Sequence, residues 1–434
     1  MNGTWRREVM AMVQDASMLA ALFERSMGLD DKWEVTETWF EEVEGGADEL
    51  HVRVARRRGR AVPCPECGRP CGVHDTRERT WRHLDIWQFR TYVHCAVPRT
   101  DCPEHGVKTV LMPWEVRPNS HFTALFEAQV IAACMRGSTV RAVAEALGED
   151  DRRLWDMLIR AVSQARESAD YSGVARVGVD ETSRARGHTY ISTMLDLDGR
   201  RCVAVTDGND KGAVGRMCDQ LEAHGGDRSK VTEVTRDMSG SFSVAVAAEM
   251  PQATQTIDRF HVMQLFSRAT DKVRCAERRE SDEKREMLNR TKYVWLKREE
   301  NLTERQAETR RELAPNRSHL RTARACQMTE AMRDVYSCAD AREAGPALDR
   351  LLSWMMHSNV PEMKKVARTV RENRDGILNY FGSRLTNAYL EGANSLIQSI
   401  KKAARGFRNV DYFTTMIFLR LGGLSFEALA CNAG

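Results

Sequence analysis

The sequence predicts a multidomain α+β protein: a β-rich front carrying a metal knuckle, a helical pair, then a mixed α/β core interrupted by an all-helical insertion. Three observations carry this. Two matched Cys/His knuckles lie within residues 64–105. From residue 174 short apolar runs alternate with helical periods. From about residue 260 to 382 the chain turns charged, helical and nearly strand-free. Its 434 residues suffice for about three domains.

Composition narrows the class. A hydrophobic content of 42% supports a large core, and 29% charged residues argue for a soluble protein. No apolar run reaches the ~18 residues of a membrane span. Residues 1–23 mix Arg6, Arg7, Glu8 and Asp15 among apolar side chains, which predicts an amphipathic helix and not a signal peptide. The expected location is the cytoplasm, at the bacterial nucleoid. Net charge is only +3, so bulk charge does not mark a nucleic-acid binder. Local charge does: Arg56, Arg57, Arg58 and Arg60 cluster, as do Lys401, Lys402, Arg405 and Arg408. Of 12 cysteines only a few sit at ligand spacing, a pattern of reduced thiols plus a metal site.

In chain order, residues 33–40 and 49–56 alternate apolar and polar side chains around a Gly-rich turn, a hairpin that with the first helix makes a domain of residues 1–60. Residues 61–118 form a zinc-binding domain. Cys64-Pro-Glu-Cys67-Gly and Cys102-Pro-Glu-His105-Gly each bring two soft or borderline ligands to one tetrahedral ion, with glycine permitting the tight turn. Cys71 and Cys95 are the substitutes for any of the four. Four protein ligands leave no open position, so this zinc is structural. Arg77, Arg79, Arg82 and Arg90 in the same segment are candidates to track a phosphate backbone.

Residues 119–165 read as a helix-turn-helix. Val140, Val143, Ala144 and Leu147 form one apolar face, Gly148-Glu149-Asp150 the turn, and Leu154, Leu158 and Val162 the next face, leaving Arg152 and Arg153 outward for DNA. After a polar linker come strands at residues 174–180, 189–196 and 201–206, a helix at 211–223, a strand at 231–237, a helix at 241–249 and a strand at 254–258. That order is the one used by ribonuclease-H-like domains, here residues 174–259. Residues 260–382 are the helical insertion, and residues 383–434 return helices to the core.

Asp180 and Asp237 each close an apolar run on neighbouring strands, where sheet enzymes collect ligands. Far downstream Asn387, Glu391, Asn394 and Gln398 form a polar helix stripe, opposite Tyr389, Ala393, Leu396 and Ile400. Three converging carboxylates suit magnesium, or manganese, and two such ions serve phosphodiester chemistry. Asp258 is an auxiliary acid or helix cap. His261 reads as a structural histidine.

The chain resembles bacterial DDE transposases of the ISL-three insertion-sequence family. The resemblance rests on CPECG, CPEHG, VRAVAEALG, GVDETS, TRDMSGSF, DRFHVMQL, YVWLKREENLT and NAYLEGANSLIQSIKKAARGFRN, which span nearly the whole chain. It implies a front end that recognises terminal inverted repeats and a catalytic triad of Asp180, Asp237 and Glu391. It further implies cleavage and strand transfer on double-stranded DNA by a homo-oligomer, with no membrane partner. His105 replaces a cysteine common in relatives, and Ala403-Ala404-Arg405 stands where a denser basic run is common. Two alternatives remain open at this point: a related nuclease without strand transfer, and a non-catalytic DNA-binding regulator.

Overall fold

The computed structural model describes residues 16–185, 189–210, 212–238, 240–314, 319–383 and 388–426. Residues 1–15, expected to begin a helix, and Asn387 lie outside them. The chain divides into two compact units, Met1–Glu167 with Leu424–Gly434, and Ser168–Gly423.

The first unit opens with α1 (Ala16–Ser26) and seven strands: β1 (Trp33–Glu41), β2 (Glu49–Arg56), β3 (Val62–Pro63), β4 (Pro70–Cys71), β5 (Val73–Ile86), β6 (Phe89–Cys102) and β7 (Gly106–Thr109). The main sheet runs β1-β2-β6-β5, with β7 also paired to β6. Strand alternation sends Leu50, Val52 and Val54 inward, where they meet Trp33, Trp81, Val93 and Trp114. β2 pairs with β6 in parallel. The expected domain boundary at residues 60–61 therefore falls inside one sheet: hairpin and zinc segment share a ladder and a core.

Three helices follow, α2 (Ala124–Met135), α3 (Val140–Leu147) and α4 (Asp151–Glu167). Thr123 and Thr139 cap α2 and α3 by accepting from the amides of Phe126 and Ala142. α3 stops on Gly148, whose φ of 60° is the left-handed conformation glycine adopts without steric cost. Asp150 then accepts from the amides of Arg152 and Arg153, starting α4. Val140, Val143 and Ala144 of α3 and Leu154, Leu158 and Val162 of α4 are buried, as their spacing predicts.

The second unit contains β8 (Arg176–Ala185), β9 (Thr189–Asp196), β10 (Arg201–Asp207), α5 (Ala213–Glu222), β11 (Glu233–Arg236), α6 (Gly240–Glu249) and β12 (Thr254–Ile257). The sheet order is β10-β9-β8-β11-β12. β8, β9 and β10 are antiparallel neighbours, while β11 lies parallel to both β8 and β12. Val177, Val179 and Met194 of the strands pack with Val214 and Met217 of α5 and Phe242 and Val246 of α6.

Helices then take over: α7 (Arg259–Glu277), α8 (Asp282–Met287), α9 (Lys292–Leu296), α10 (Glu304–Glu312), α11 (Arg321–Ser337), α12 (Ala341–His357), α13 (Pro361–Glu372) and α14 (Arg374–Ser383). α7 and α11–α14 bury a separate apolar core built around Phe266, Met332, Leu348 and Val366. α14 leads back to the sheet edge, where the Asn379 side-chain amide donates to the Gln255 carbonyl at 2.9 Å. α15 (Ala388–Ala403) and α16 (Val410–Leu421) complete the described chain.

Candidate functional site

The register of three parallel strands aligns three aspartates. Thr235 pairs with Gly178, and Arg236 with Ile257. Carried forward along the strands, the same offsets bring Asp237 level with Asp180 on one side and with Asp258 on the other. The sheet thus presents a row of carboxyl groups at the carboxyl ends of β11 and β12, the edge where open α/β sheets bind ligands. Asp180 itself is not at a strand end, contrary to the sequence reading. β8 continues to Ala185 because its antiparallel partner β9 extends it, with Asp180 opposite Thr193. What ends near Asp180 is the pairing with β11, whose ladder stops at Gly178.

Asp180 is buried and Asp258 nearly inaccessible, while Asp237 is half-buried. Asp258 caps α7 by accepting from the Phe260 amide at 2.8 Å. Its other oxygen lies 3.7 Å from His261 Nε2, and that nitrogen is 3.8 Å from Asp180 Oδ1. His261, which the sequence marked as structural, bridges two acids. Burial is the main cause that pushes the Asp180 carboxyl up to about 6; the His261 ring and the Glu181 amide pull it down, and Asp237 and Asp258 raise it further.

α15 lies over this row. Leu390 packs onto Gly178, where a Cβ would come within 2.8 Å of its Cδ1. One turn on, the Asn394 side-chain amide donates to Asp180 Oδ2. Near the helix end Lys401 Nζ donates to the Ser183 carbonyl. Glu391 sits between these anchors and is exposed. Its carboxyl is raised by partial burial and by Asp258, and lowered by Arg259 and His261, so it shares the field of the acidic row. The buried stripe of α15 is Leu390, Ala393, Ile397 and Ile400, rotated from the predicted one, because the close approach at Gly178 admits Leu390 in place of Tyr389.

Every donor in the row is a hard oxygen, the set magnesium or manganese prefers. Asn394 Oδ1 is buried without a hydrogen-bond partner beside it, an acceptor left over for a cation or its water. These residues fit a hard divalent ion.

The front unit holds the other metal centre. The ligand atoms of Cys64, Cys67, Cys102 and His105 all lie within 4.8 Å of one another. A tetrahedral zinc with bonds of about 2.3 Å to sulfur sets sulfurs about 3.8 Å apart, and a sulfur and an imidazole nitrogen about 3.6 Å. Cys67 and Cys102 are 3.8 Å apart, and Cys102 Sγ is 3.6 Å from His105 Nδ1. The four predicted ligands fit a structural zinc ion. Of the substitutes, Cys95 faces the apolar core, where burial pushes its thiol up to about 12, whereas Cys71 packs against Cys64 and Cys102 and donates to the Arg69 carbonyl.

The predicted DNA-binding cations divide. Arg57 is near Glu24 and Glu34, Arg60 pairs with Asp31, and Arg56 donates to the Arg60 carbonyl, while Arg58 has no ion pair among the described residues. Arg79 pairs with Glu115, and Arg82 is buried, so neither is free to track phosphates. Arg153 pairs with Glu149 and lies over the Phe122 ring, whereas Arg152 is exposed. Lys401 is spent on Ser183, leaving Lys402 and Arg405 exposed.

Three family models match the chain. One described as transposase covers residues 177–417, the helix-turn-helix domain of transposase family ISL3 covers 113–162, and the zinc-finger of transposase IS204/IS1001/IS1096/IS1165 covers 60–105. The transposase for insertion sequence element IS1557 of Mycobacterium tuberculosis (strain H37Rv) is 28% identical, over 93% of this chain and 95% of its own. The transposase for insertion sequence element IS1001 of Bordetella parapertussis is 25% identical, over 81% of this chain and 86% of its own.

Proposed function

This chain belongs to transposase family ISL3, and we propose that Asp180, Asp237 and Glu391 form the centre with which it cuts and joins DNA. The observation that carries the reading is the alignment of Asp180 with Asp237 on adjacent parallel strands beneath the helix that bears Glu391. We read the five-stranded sheet as a ribonuclease-H-like core, split by a helical insertion at residues 260–382 and completed by residues 383–434. Residues 61–118, around their zinc, and the helix-turn-helix of residues 119–165 bind the terminal inverted repeats of the element. A homo-oligomer on DNA would bring two ends together.

Asp180, Asp237 and Glu391 would hold magnesium or manganese. When bound, such a pair of ions activates a water or a 3′-hydroxyl and stabilises the leaving oxygen of an in-line displacement. The chain's own groups prepare that chemistry. Asn394 fixes one Asp180 oxygen through its amide, so the other oxygen faces the row. His261 holds its Nε2 between Asp180 and Asp258, within 3.8 Å of one and 3.7 Å of the other. Gly178 admits the α15 helix closely enough for Glu391 to enter the field of the aspartates. Lys402 and Arg405, exposed at the helix end, are placed to hold backbone phosphates.

Asp180→Asn, Asp237→Asn and Glu391→Gln should each bind duplexes taken from the DNA flanking the gene as the parent does. Cleavage and joining of those duplexes should fall by roughly a hundredfold or more. Cleavage retained by all three variants would overturn the assignment.

A further inference from the structure

The hairpin joining β5 to β6 ends in a two-residue loop, Trp87-Gln88, closed by the Ile86–Phe89 pair. Trp87 occupies its first position with φ 53°. Two-residue hairpin loops give that left-handed position to glycine or asparagine, since a bulky side chain there is strained. The strain gains no burial. Trp87 is 82% exposed, the most exposed of the large apolar side chains described, and its ring has no aromatic or cation–π partner among the described residues. A costly residue without a compensating contact inside the fold points to a contact outside it.

The hairpin is fastened to the helix-turn-helix. Arg82 of β5 donates through Nη2 to the Leu147 carbonyl at 3.2 Å, at the end of α3. The guanidinium of Arg90, three residues past Trp87, fills the space where a Cβ on Gly148 would lie. Gly148 opens the turn that leads into α4, and in this motif the start of the second helix meets the bases. From Arg90 the strand rises ~10 Å to the tip. The tryptophan therefore stands beside the edge of whatever duplex α4 engages, rigidly tied to the turn that orients α4.

We infer that the β5–β6 hairpin is a wing of the DNA-binding unit, and that Trp87 enters the minor groove of the duplex whose adjacent major groove receives α4. An indole offers an apolar face for sugars and an edge that wedges into a base step, and its contacts are tolerant of sequence. The wing adds affinity and bends the end, while α4 reads it. The inference rests on the reading of residues 119–165 as a DNA-binding motif.

The test uses the full chain and fluorescent duplexes from the DNA flanking its gene, with Trp87→Gly, Trp87→Phe and Arg152→Ala as variants. Glycine suits φ 53°, so Trp87→Gly should melt no lower than the parent. It should bind roughly tenfold more weakly, lose hydroxyl-radical protection over one minor-groove segment, and bend the duplex less. Trp87→Phe should keep most of the affinity. Unchanged affinity and footprint in Trp87→Gly, alongside weakened binding by Arg152→Ala, would overturn the wing and leave the helix-turn-helix reading standing. A parent chain that prefers no flanking duplex over unrelated DNA would overturn that reading, and the wing with it.

Discussion

His83 is held where only a neutral ring is tolerated. It is 3% exposed, and its Nδ1 lies 2.9 Å from Thr123 Oγ1, the hydroxyl that also caps α2. Burial, with Arg82 adding to it, pushes its pKa down to about 4. The unfolded chain takes up this proton near pH 6.5 and the native chain only near 4, so stability complete above 6.5 drains away as pH falls toward 4. The loss reaches up to about 3 kcal/mol. Calorimetric melting of the parent should therefore fall more steeply across that window than melting of His83→Gln. Equal slopes would assign the acid sensitivity to other groups. Such a residue leaves no trace in the sequence, where His83 is one polar position on a strand. Asp180 and Asp237 were legible because an acid at the end of a Val-rich run is unusual. Asn394 was visible on its stripe, but its bond to Asp180 crosses 214 positions and no local pattern encodes it.

Among the elements, the packing of α15 on β8 is open to disturbance by a single atom. A methyl at residue 178 would meet Leu390 Cδ1 at 2.8 Å. Leucine can rotate, yet Leu197 Cδ2, at 3.1 Å, crowds the same spot from another side. Gly178→Ala should lift the helix by a few tenths of an ångström and draw Asn394 and Glu391 away from Asp180. We expect turnover on pre-formed ends to fall by roughly tenfold or more, with DNA binding unchanged; full activity would show that the helix needs no such fit. Elements with local signals were readable in advance: the strands and helices of residues 174–258 follow their periods, and Gly148 marks the stop of α3. The ladder that crosses residues 60–61 was not legible, because the parallel pairing of β2 with β6 joins segments some 40 residues apart, and parallel register has no turn to announce it.

For the molecule as a whole, a net charge of +3 conceals a sorting of its cations. Arg57, Arg60, Arg79 and Arg153 are neutralised by acids of their own unit. Arg58, Arg152, Lys402 and Arg405 are exposed. Counterion release makes each phosphate contact visible as a slope of log affinity against log salt. Replacing any of these four exposed cations by alanine should lower that slope by about one, whereas Arg60→Ala should leave it unchanged, as read by anisotropy between ~50 and ~200 mM salt. A slope insensitive to all four would place the phosphate path elsewhere. Composition could never have made this distinction, since it counts charges without their partners.

The order of the acids along the chain also sets a clock. Asp258 and Glu391 are 133 positions apart, 391 less 258. At roughly 5–20 residues per second of synthesis, Glu391 leaves the ribosome on the order of ten seconds after Asp258. Throughout that interval the zinc knuckles and helix-turn-helix have already emerged, while the proposed triad still lacks Glu391. Under the function proposed above, a nascent chain would be able to hold an element end before it is able to cut. By the same reading, a chain that stops between those two positions would occupy the ends without cutting them.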